Sequence, residues 1–246
     1  MFRLSREESD MARDFGFATV RERYAQPSEV RKYAGRAEDG LLAWESTVAG
    51  KYLVSPGRLL DIGCGGGREA FAFAAQGHSV TAIDISDELL ETARTKARAL
   101  GMCVDFRTCA GTSLDFSDQS FEYVALLSQV LGNVSGQAGR AGLLRDIRRV
   151  LQPGGIFIFS AHNRGVCEPI ARAKGIVVEP VEFPMEEGDF LLVDDEDRTP
   201  CYWHYFTRDE ILTLCCDTGF EVLECCLAQD LGQAGWDTIW VCVCRK

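Results

Sequence analysis

Residues 59–69 read Leu-Leu-Asp-Ile-Gly-Cys-Gly-Gly-Gly-Arg-Glu, and Asp84 closes the next apolar run, about twenty residues beyond the glycines. A short β-prone segment breaks into glycines, a helical stretch follows, and an acid stands at the tip of a second strand. That order builds a nucleotide site from backbone alone. Glycines let the chain turn sharply and let a ligand approach the main chain, while a helix start offers free N–H groups. Asp84 is placed to accept hydrogen bonds from two ribose hydroxyls. The expected chemistry is recognition of an adenosine-type ligand on a doubly wound α/β sheet.

Two ligand classes use such a turn. A dinucleotide fingerprint asks for a third glycine where helix and strand pack closely. Here the register runs Gly63, Cys64, Gly65, Gly66, Gly67, Arg68, so an arginine occupies that place. Asp61 adds negative charge where phosphates would lie, yet suits a ligand carrying sulfonium and ammonium groups. The stretch resembles motif I of the class I S-adenosylmethionine-dependent methyltransferases, which reads roughly (V/L)LDIGCGxGR. Further landmarks follow in the family's order. Residues 80–86, Val-Thr-Ala-Ile-Asp-Ile-Ser, are similar to the second strand ending in the ribose-binding acid. Residues 121–128, Phe-Glu-Tyr-Val-Ala-Leu-Leu-Ser, are similar to the fourth strand, and 144–155 to the helix and Pro-Gly-Gly turn before strand five. The resemblance covers residues 59–160.

The resemblance implies S-adenosyl-L-methionine as methyl donor. The backbone from Asp61 through Gly63, Cys64 and Gly65 would cradle its methionine and ribose part, Asp84 would bind the ribose hydroxyls, and Ile85 would flank the adenine. The segment Ala110-Gly111-Thr112-Ser113 falls where the family carries an acid against the adenine amino group. Ala110 replaces that acid, which leaves Thr112 or Ser113 to substitute. Leu127 and Ser128 should sit beside the sulfonium. The sequence after strand four, Leu127-Ser128-Gln129-Val130-Leu131-Gly132, lacks the Asn/Asp-Pro-Pro-Tyr motif of enzymes acting on exocyclic base amines or glutamine. It looks more like small-molecule methyltransferases with an LGNxxxH pattern, without the histidine. His162, just after strand five, and His204, in the aromatic run 201–206, are the acceptor-side expectations.

Composition narrows the partners. The net charge is −11, and nine acids with no lysine or arginine lie between Glu179 and Asp197. A protein that grips nucleic acid needs the opposite sign over its binding face, so an RNA or DNA substrate is disfavoured. No apolar run is long enough to cross a membrane, and the first ten residues lack the apolar stretch of a signal peptide, so a cytoplasmic protein is expected. Eleven cysteines then read as reduced thiols. No C-x-x-C pair exists, and free cysteine behaves as a small hydrophobe, so core packing without a metal is expected, with a soft-metal or redox role as the alternative.

The pattern divides the chain into four parts. Residues 1–56 read as helices forming an N-terminal cap, with Pro27 as punctuation. Residues 57–162 alternate strand and helix: helices at about 67–76, 87–100 and 138–151, strands at about 79–84, 104–108, 121–127 and 156–161. Residues 163–206 break the rhythm with four prolines and the acidic run, and are expected to be an insertion and substrate lid. Residues 207–246 resume it, with a helix capped by Thr207 and Glu210 and two strands. The fold implied is a doubly wound, mostly parallel seven-stranded sheet with a C-terminal antiparallel hairpin. Methyl transfer to a small-molecule acceptor is the leading functional expectation. The alternatives are a non-catalytic S-adenosylmethionine-binding sensor or scaffold and, below that, an RNA methyltransferase.

Overall fold

Alternating strand and helix segments dominate the middle of the chain, and the computed structural model assembles them into two helical layers around one sheet. It describes residues 6–109, 111–178, 185–193 and 199–246, with side chains described from residue 15 onward. Three helices open the chain: α1 (Arg6–Tyr24), α2 (Pro27–Gly35) and α3 (Ala43–Tyr52). Pro27 stands at the start of α2, where its missing N–H costs no hydrogen bond. The core follows as β1 (Arg58–Ile62), α4 (Arg68–Ala75), β2 (Ser79–Asp84), α5 (Asp87–Leu100), β3 (Asp105–Thr108), β4 (Phe121–Leu126), α6 (Gln137–Val150) and β5 (Leu151–His162). Then come α7 (Arg164–Ala173), β6 (Asp189–Leu192), β7 (Cys201–His204), α8 (Arg208–Asp217), β8 (Glu221–Leu227) and β9 (Ile239–Arg245).

The main sheet has seven strands in the order β3-β2-β1-β4-β5-β9-β8. β1 to β5 run parallel, while β9 pairs antiparallel with both β5 and β8. Parallel strands are covered on both faces, and β1 and β4 are accordingly almost continuously buried. Leu59 packs toward Trp44, Phe73 and Leu90 on one side. Leu60, its neighbour, packs toward Leu144, Ile147 and Phe157 on the other. The expected doubly wound architecture and its terminal antiparallel hairpin are therefore present.

Local chemistry explains the boundaries. Ser86 caps α5 by accepting from the Leu89 N–H at 3.2 Å, and Gly101 ends that helix in the left-handed region at φ +64°. Thr207 and Glu210 form the expected capping box of α8, each side chain accepting from the other's N–H. β5 is longer than its apolar run suggests, because pairing to β4 resumes across an irregularity between Phe121 and Tyr123.

The insertion differs most from expectation. Its described part contains regular elements, α7 with Pro169 inside it and the antiparallel pair β6–β7. This pair packs against the body of the protein: Val20 of α1 clusters with Leu191, Cys201 and Tyr202. All eleven cysteines are free, with Cys103 and Cys216 exposed and Cys64, Cys167, Cys201, Cys215, Cys242 and Cys244 buried. Alkylation of the native protein should therefore tag Cys103 and Cys216 first, with all eleven reacting only after denaturation. Rapid native labelling of the buried six, followed by mass spectrometry, would contradict this core.

Candidate functional site

Three chain turns at the carboxyl ends of the parallel strands make the site. After β1 the chain reverses through Gly63 at φ +74°, where a side chain would collide with Val130 Cγ2 at 2.6 Å. At Gly66 a Cβ would meet the Tyr33 carbonyl oxygen at 2.5 Å, so glycine lets α2 close onto the turn. The Gly63 and Cys64 N–H groups both donate to the Ile83 carbonyl, at 2.8 and 3.1 Å. Asp84 completes the join: one carboxylate oxygen accepts from the Gly65 N–H at 2.8 Å and the other from the Ser86 N–H at 2.9 Å. Burial raises the Asp84 pKa, and those N–H bonds act in the opposite sense.

These turns open onto a cavity of about 250 Å³. Gly63, Gly65, Asp84, Ile85, Gly111, Thr112 and Ser128 line it, so seven of the residues singled out in the sequence converge on one space. Asp61, Cys64, Ser113 and Leu127 do not line it. Cys64 is packed in the core beneath the turn, Leu127 is 4 % exposed, and Ser113 faces solvent. Ala110 lies outside the described residues.

Asp61 stands just behind the glycine turn and is 2 % exposed. Its Oδ2 is buried with no hydrogen-bond partner among the described residues. Burial and then the Glu69 charge hold its carboxyl well above the usual range, while Arg68 pulls the other way. Arg68 explains the departure from a glycine at this position. It is a buried side chain that donates to Glu45 of α3 at 2.7 and 2.8 Å and to the Gly40 carbonyl at 2.8 Å. The N-terminal helices are thus tied to the turn by one guanidinium. Ser128 donates to Glu69 at 2.8 Å, which links the end of β4 to the same acidic group. Ser128 and Gln129 both adopt positive φ, at 50° and 60°, a strained conformation for non-glycine residues at the mouth of the cavity.

The rest of the wall was less legible in the sequence. Phe17, Val20 and Tyr24 of α1 line the cavity, as does Tyr33 of α2. Their spacing of three and four residues is the helical-face signal that could have found them. Val130 and Asn133 come from the short 3-10 turn after β4 and Val134 and Ser135 directly follow it, and no sequence periodicity marks them.

The acceptor-side expectations need correction. Neither histidine lines the cavity. His162 is wedged between the rings of Trp203 and Tyr205, each centroid 5.1 Å away, and burial pushes its pKa down to about 4. His204 is fully buried, with Nδ1 2.6 Å from Asp189 and Nε2 2.6 Å from Glu210. Tyr202 donates to the same Asp189 oxygen at 2.5 Å, and Arg140 pairs with Glu186 at 2.6 Å. His204 therefore fastens β6–β7 to α8.

Tyr202, Trp203 and Tyr205 of the insertion likewise do not line the cavity. Tyr202 is completely buried, and its carbonyl accepts from the Asn133 side chain at 2.9 Å. A Cβ on Gly132 would meet the His204 carbonyl at 2.8 Å. The hairpin stands behind the cavity-lining turn and braces it. Of the nine acids, Glu186, Glu187 and Asp189 are described, and each is engaged by a cation or His204. The other six lie outside the described residues.

Comparison with known proteins agrees with this geometry. Residues 60–159 match the family described as a methyltransferase domain. A ubiquinone biosynthesis O-methyltransferase of Rickettsia akari is 29 % identical over 168 residues, covering 68 % of this chain and 59 % of the relative. Its counterpart in a Caulobacter species is 36 % identical over 107 residues, covering 44 % of this chain and 41 % of the relative. The chain thus spans less than two thirds of the length of these curated relatives. A solved S-adenosylmethionine-dependent methyltransferase from Methanosarcina mazei superposes with a TM-score of 0.66 at 26 % identity, covering 81 % of this chain and 96 % of that one. The chain thus carries a methyltransferase domain over residues 60–159, and its seven-stranded fold is similar to that of solved S-adenosylmethionine-dependent methyltransferases.

Proposed function

We propose that this protein transfers the methyl group of S-adenosyl-L-methionine to a small-molecule acceptor held in the cavity beneath α1 and α2. The observation that carries the reading is the convergence of Gly63, Gly65 and Asp84 on that cavity, with the unpartnered Asp61 oxygen buried just behind the turn. A buried acid left so is costly unless a cationic ligand arrives to complement it. The donor's cationic methionine portion fits that requirement, and Asp84, at the cavity wall, fits the ribose. When bound, the donor supplies an activated methyl group on a sulfonium. What remains for the protein is to hold the two molecules in line and to exclude water. Phe17, Val20 and Val130 supply the apolar wall for that purpose.

The acceptor-side chemistry follows from the same wall. Among the described lining residues there is no histidine, lysine, arginine or glutamate. Burial pushes Tyr33 up to about 12 and Cys109 up to about 11, so neither is a base near neutral pH. We therefore favour an acceptor whose nucleophilic atom has a free lone pair, or ionises, without help from a side chain. The curated relatives are named as O-methyltransferases, which makes an oxygen acceptor the first class to try. No described helix is long and apolar enough to cross a membrane, and we place the reaction in the cytoplasm.

The test is incubation with methyl-labelled donor and a panel of small phenols, acids and amines. Acceptor-dependent release of S-adenosylhomocysteine is expected. Binding of the donor without turnover on any acceptor would instead favour a sensor, and failure to bind the donor would remove the assignment altogether.

Asp61→Asn separates ligand recognition from fold maintenance. Because the native carboxyl is raised, Asp61 favours the folded state at low pH and loses that contribution as pH rises. The amide removes this liability, so the ligand-free melting temperature at neutral pH should hold or rise. Donor affinity should fall about tenfold, the scale of one charge-assisted hydrogen bond. Calorimetry and thermal melts read the two effects separately.

A further inference from the structure

Three thiols from two elements meet at the β8–β9 end of the sheet, and a fourth stands in register beside them on β8. Cys242 and Cys244 project from the same face of β9, and Cys215 reaches them from α8. Cys242 Sγ lies 3.7 Å from Cys244 Sγ, which lies 3.6 Å from Cys215 Sγ, and all three fall within 4.8 Å of one another. Cys225 of β8 is registered directly opposite Cys242 on the neighbouring strand. Cys215, Cys242 and Cys244 are fully buried, while Cys225 is half-buried. None of the four lines the cavity, and β5 and β4 stand between β9 and β1 in the sheet.

Packing alone does not account for the choice of residue. The neighbouring core is filled by Phe157, Phe159, Ile211 and Phe220, which carry no polar atom. Three buried S–H groups here find chiefly one another, and thiols are weak donors and acceptors. Four thiolates bound to zinc at the usual distance of about 2.3 Å stand about 3.8 Å apart at the corners of a tetrahedron. The observed 3.6 and 3.7 Å separations are close to that spacing. Carboxylate and imidazole are absent from the cluster, so the donor set selects a thiophilic cation over calcium or magnesium.

We propose that Cys215, Cys225, Cys242 and Cys244 form a structural zinc site that clamps α8 to the terminal hairpin. Binding exchanges protons for metal: each thiol that ligates gives up its proton to solvent, no electrons move, and no bond between sulfurs forms. The Arg208 side chain donates to the Cys225 carbonyl at 3.3 Å, which places a cation beside the resulting net negative cluster. Cys225, the half-buried member, gives access from solvent. This site is independent of the proposed methyl transfer and is tested without it.

The experiment uses the full chain, reduced, stripped with a chelator and titrated with Zn2+ alone, then with Co2+. One equivalent of Zn2+ should bind with a dissociation constant below about 1 µM, releasing protons as it does. Saturation should raise the melting temperature by roughly 5–10 °C. Co2+ should give sulfur-to-metal charge-transfer bands and the intense visible bands of a tetrahedral site. Cys242→Ser and, separately, Cys215→Ala should weaken Zn2+ binding at least about a hundredfold, whereas the exposed-site control Cys103→Ser should not. S-adenosylhomocysteine binding and circular dichroism report whether each variant is folded. Absence of thiolate–cobalt bands in the wild-type protein overturns the proposal, whatever the variants do. So does zinc affinity that survives in a folded Cys242→Ser protein.

Discussion

Asp84→Ala weakens binding of both S-adenosylmethionine and S-adenosylhomocysteine by roughly ten- to a hundredfold, the expected loss of about 1.5–3 kcal/mol from charge-assisted bonds to ribose. Two contributions must be separated. The carboxylate faces the cavity, but it also accepts from the Gly65 and Ser86 N–H groups and so joins the β1 and β2 turns. Asp84→Asn keeps one carbonyl acceptor for that joint while removing the charge. Asparagine should therefore retain a melting temperature closer to wild type than alanine does, yet bind ligand nearly as poorly. Calorimetry on folded variants decides the matter. Unchanged affinity for both ligands in Asp84→Ala would remove Asp84 from the site, and a preference for NADH would remove the ligand as well.

His204→Ala should damage the fold and spare the chemistry. The ring is fully buried between two carboxylates, and its deletion strands Asp189 beside Tyr202 and Arg140 with one partner fewer. Breaking a buried charged pair typically costs about 3–5 kcal/mol, which for a chain of this size is a fall of roughly 6–20 °C in melting temperature. Burial alone would raise the Asp189 carboxyl. The hydrogen bond and charge of His204, with Arg140, outweigh it and leave the pKa lowered, and Glu210 is lowered in the same way. A depressed folded pKa means that this stability is present above the ordinary carboxylate range and is lost as pH falls through the lowered values. The difference in melting temperature between wild type and His204→Ala should accordingly shrink under strongly acid conditions. Donor affinity, measured below the variant's melting temperature, should change less than about threefold, under 1 kcal/mol. A stable His204→Ala protein that binds donor normally and has lost turnover would restore a catalytic role to this residue.

The glycine-turn half of the candidate site was legible because backbone chemistry dictates it. A glycine turn with positive φ after a buried strand has few sequence solutions, and an acid at the next strand end is local to it. Gly63, Gly65, Asp84 and Ile85 accordingly meet in space as their order along the chain suggested. Arg68 shows the limit of that logic. In sequence it reads only as a departure from a dinucleotide pattern, whereas in the fold it is the buried partner of Glu45, twenty-three residues away. His162 and His204 were misjudged for a similar reason. A histidine just after a strand and one in an aromatic run both look like cavity residues. Whether they face ligand or core depends on how β6–β7 docks, and that docking rests on contacts with α1, Asn133 and α8.

What the amino-acid sequence determined by itself is whatever local chemistry and periodicity encode. This covers the alternation of strand and helix, the capping box at Thr207 and Glu210, the glycine turn and the acid at the end of β2. Tertiary structure alone decided which helix faces wall the cavity, that the described part of the insertion packs behind the cavity-lining turn, and that Cys215, Cys242 and Cys244 share one place with Cys225 in register beside them. Those outcomes depend on pairings between residues ten to nearly two hundred positions apart, such as Tyr202 with Thr19. Such contacts leave no spacing in the chain, because side chains from separate elements meet only after the sheet has set their order and register.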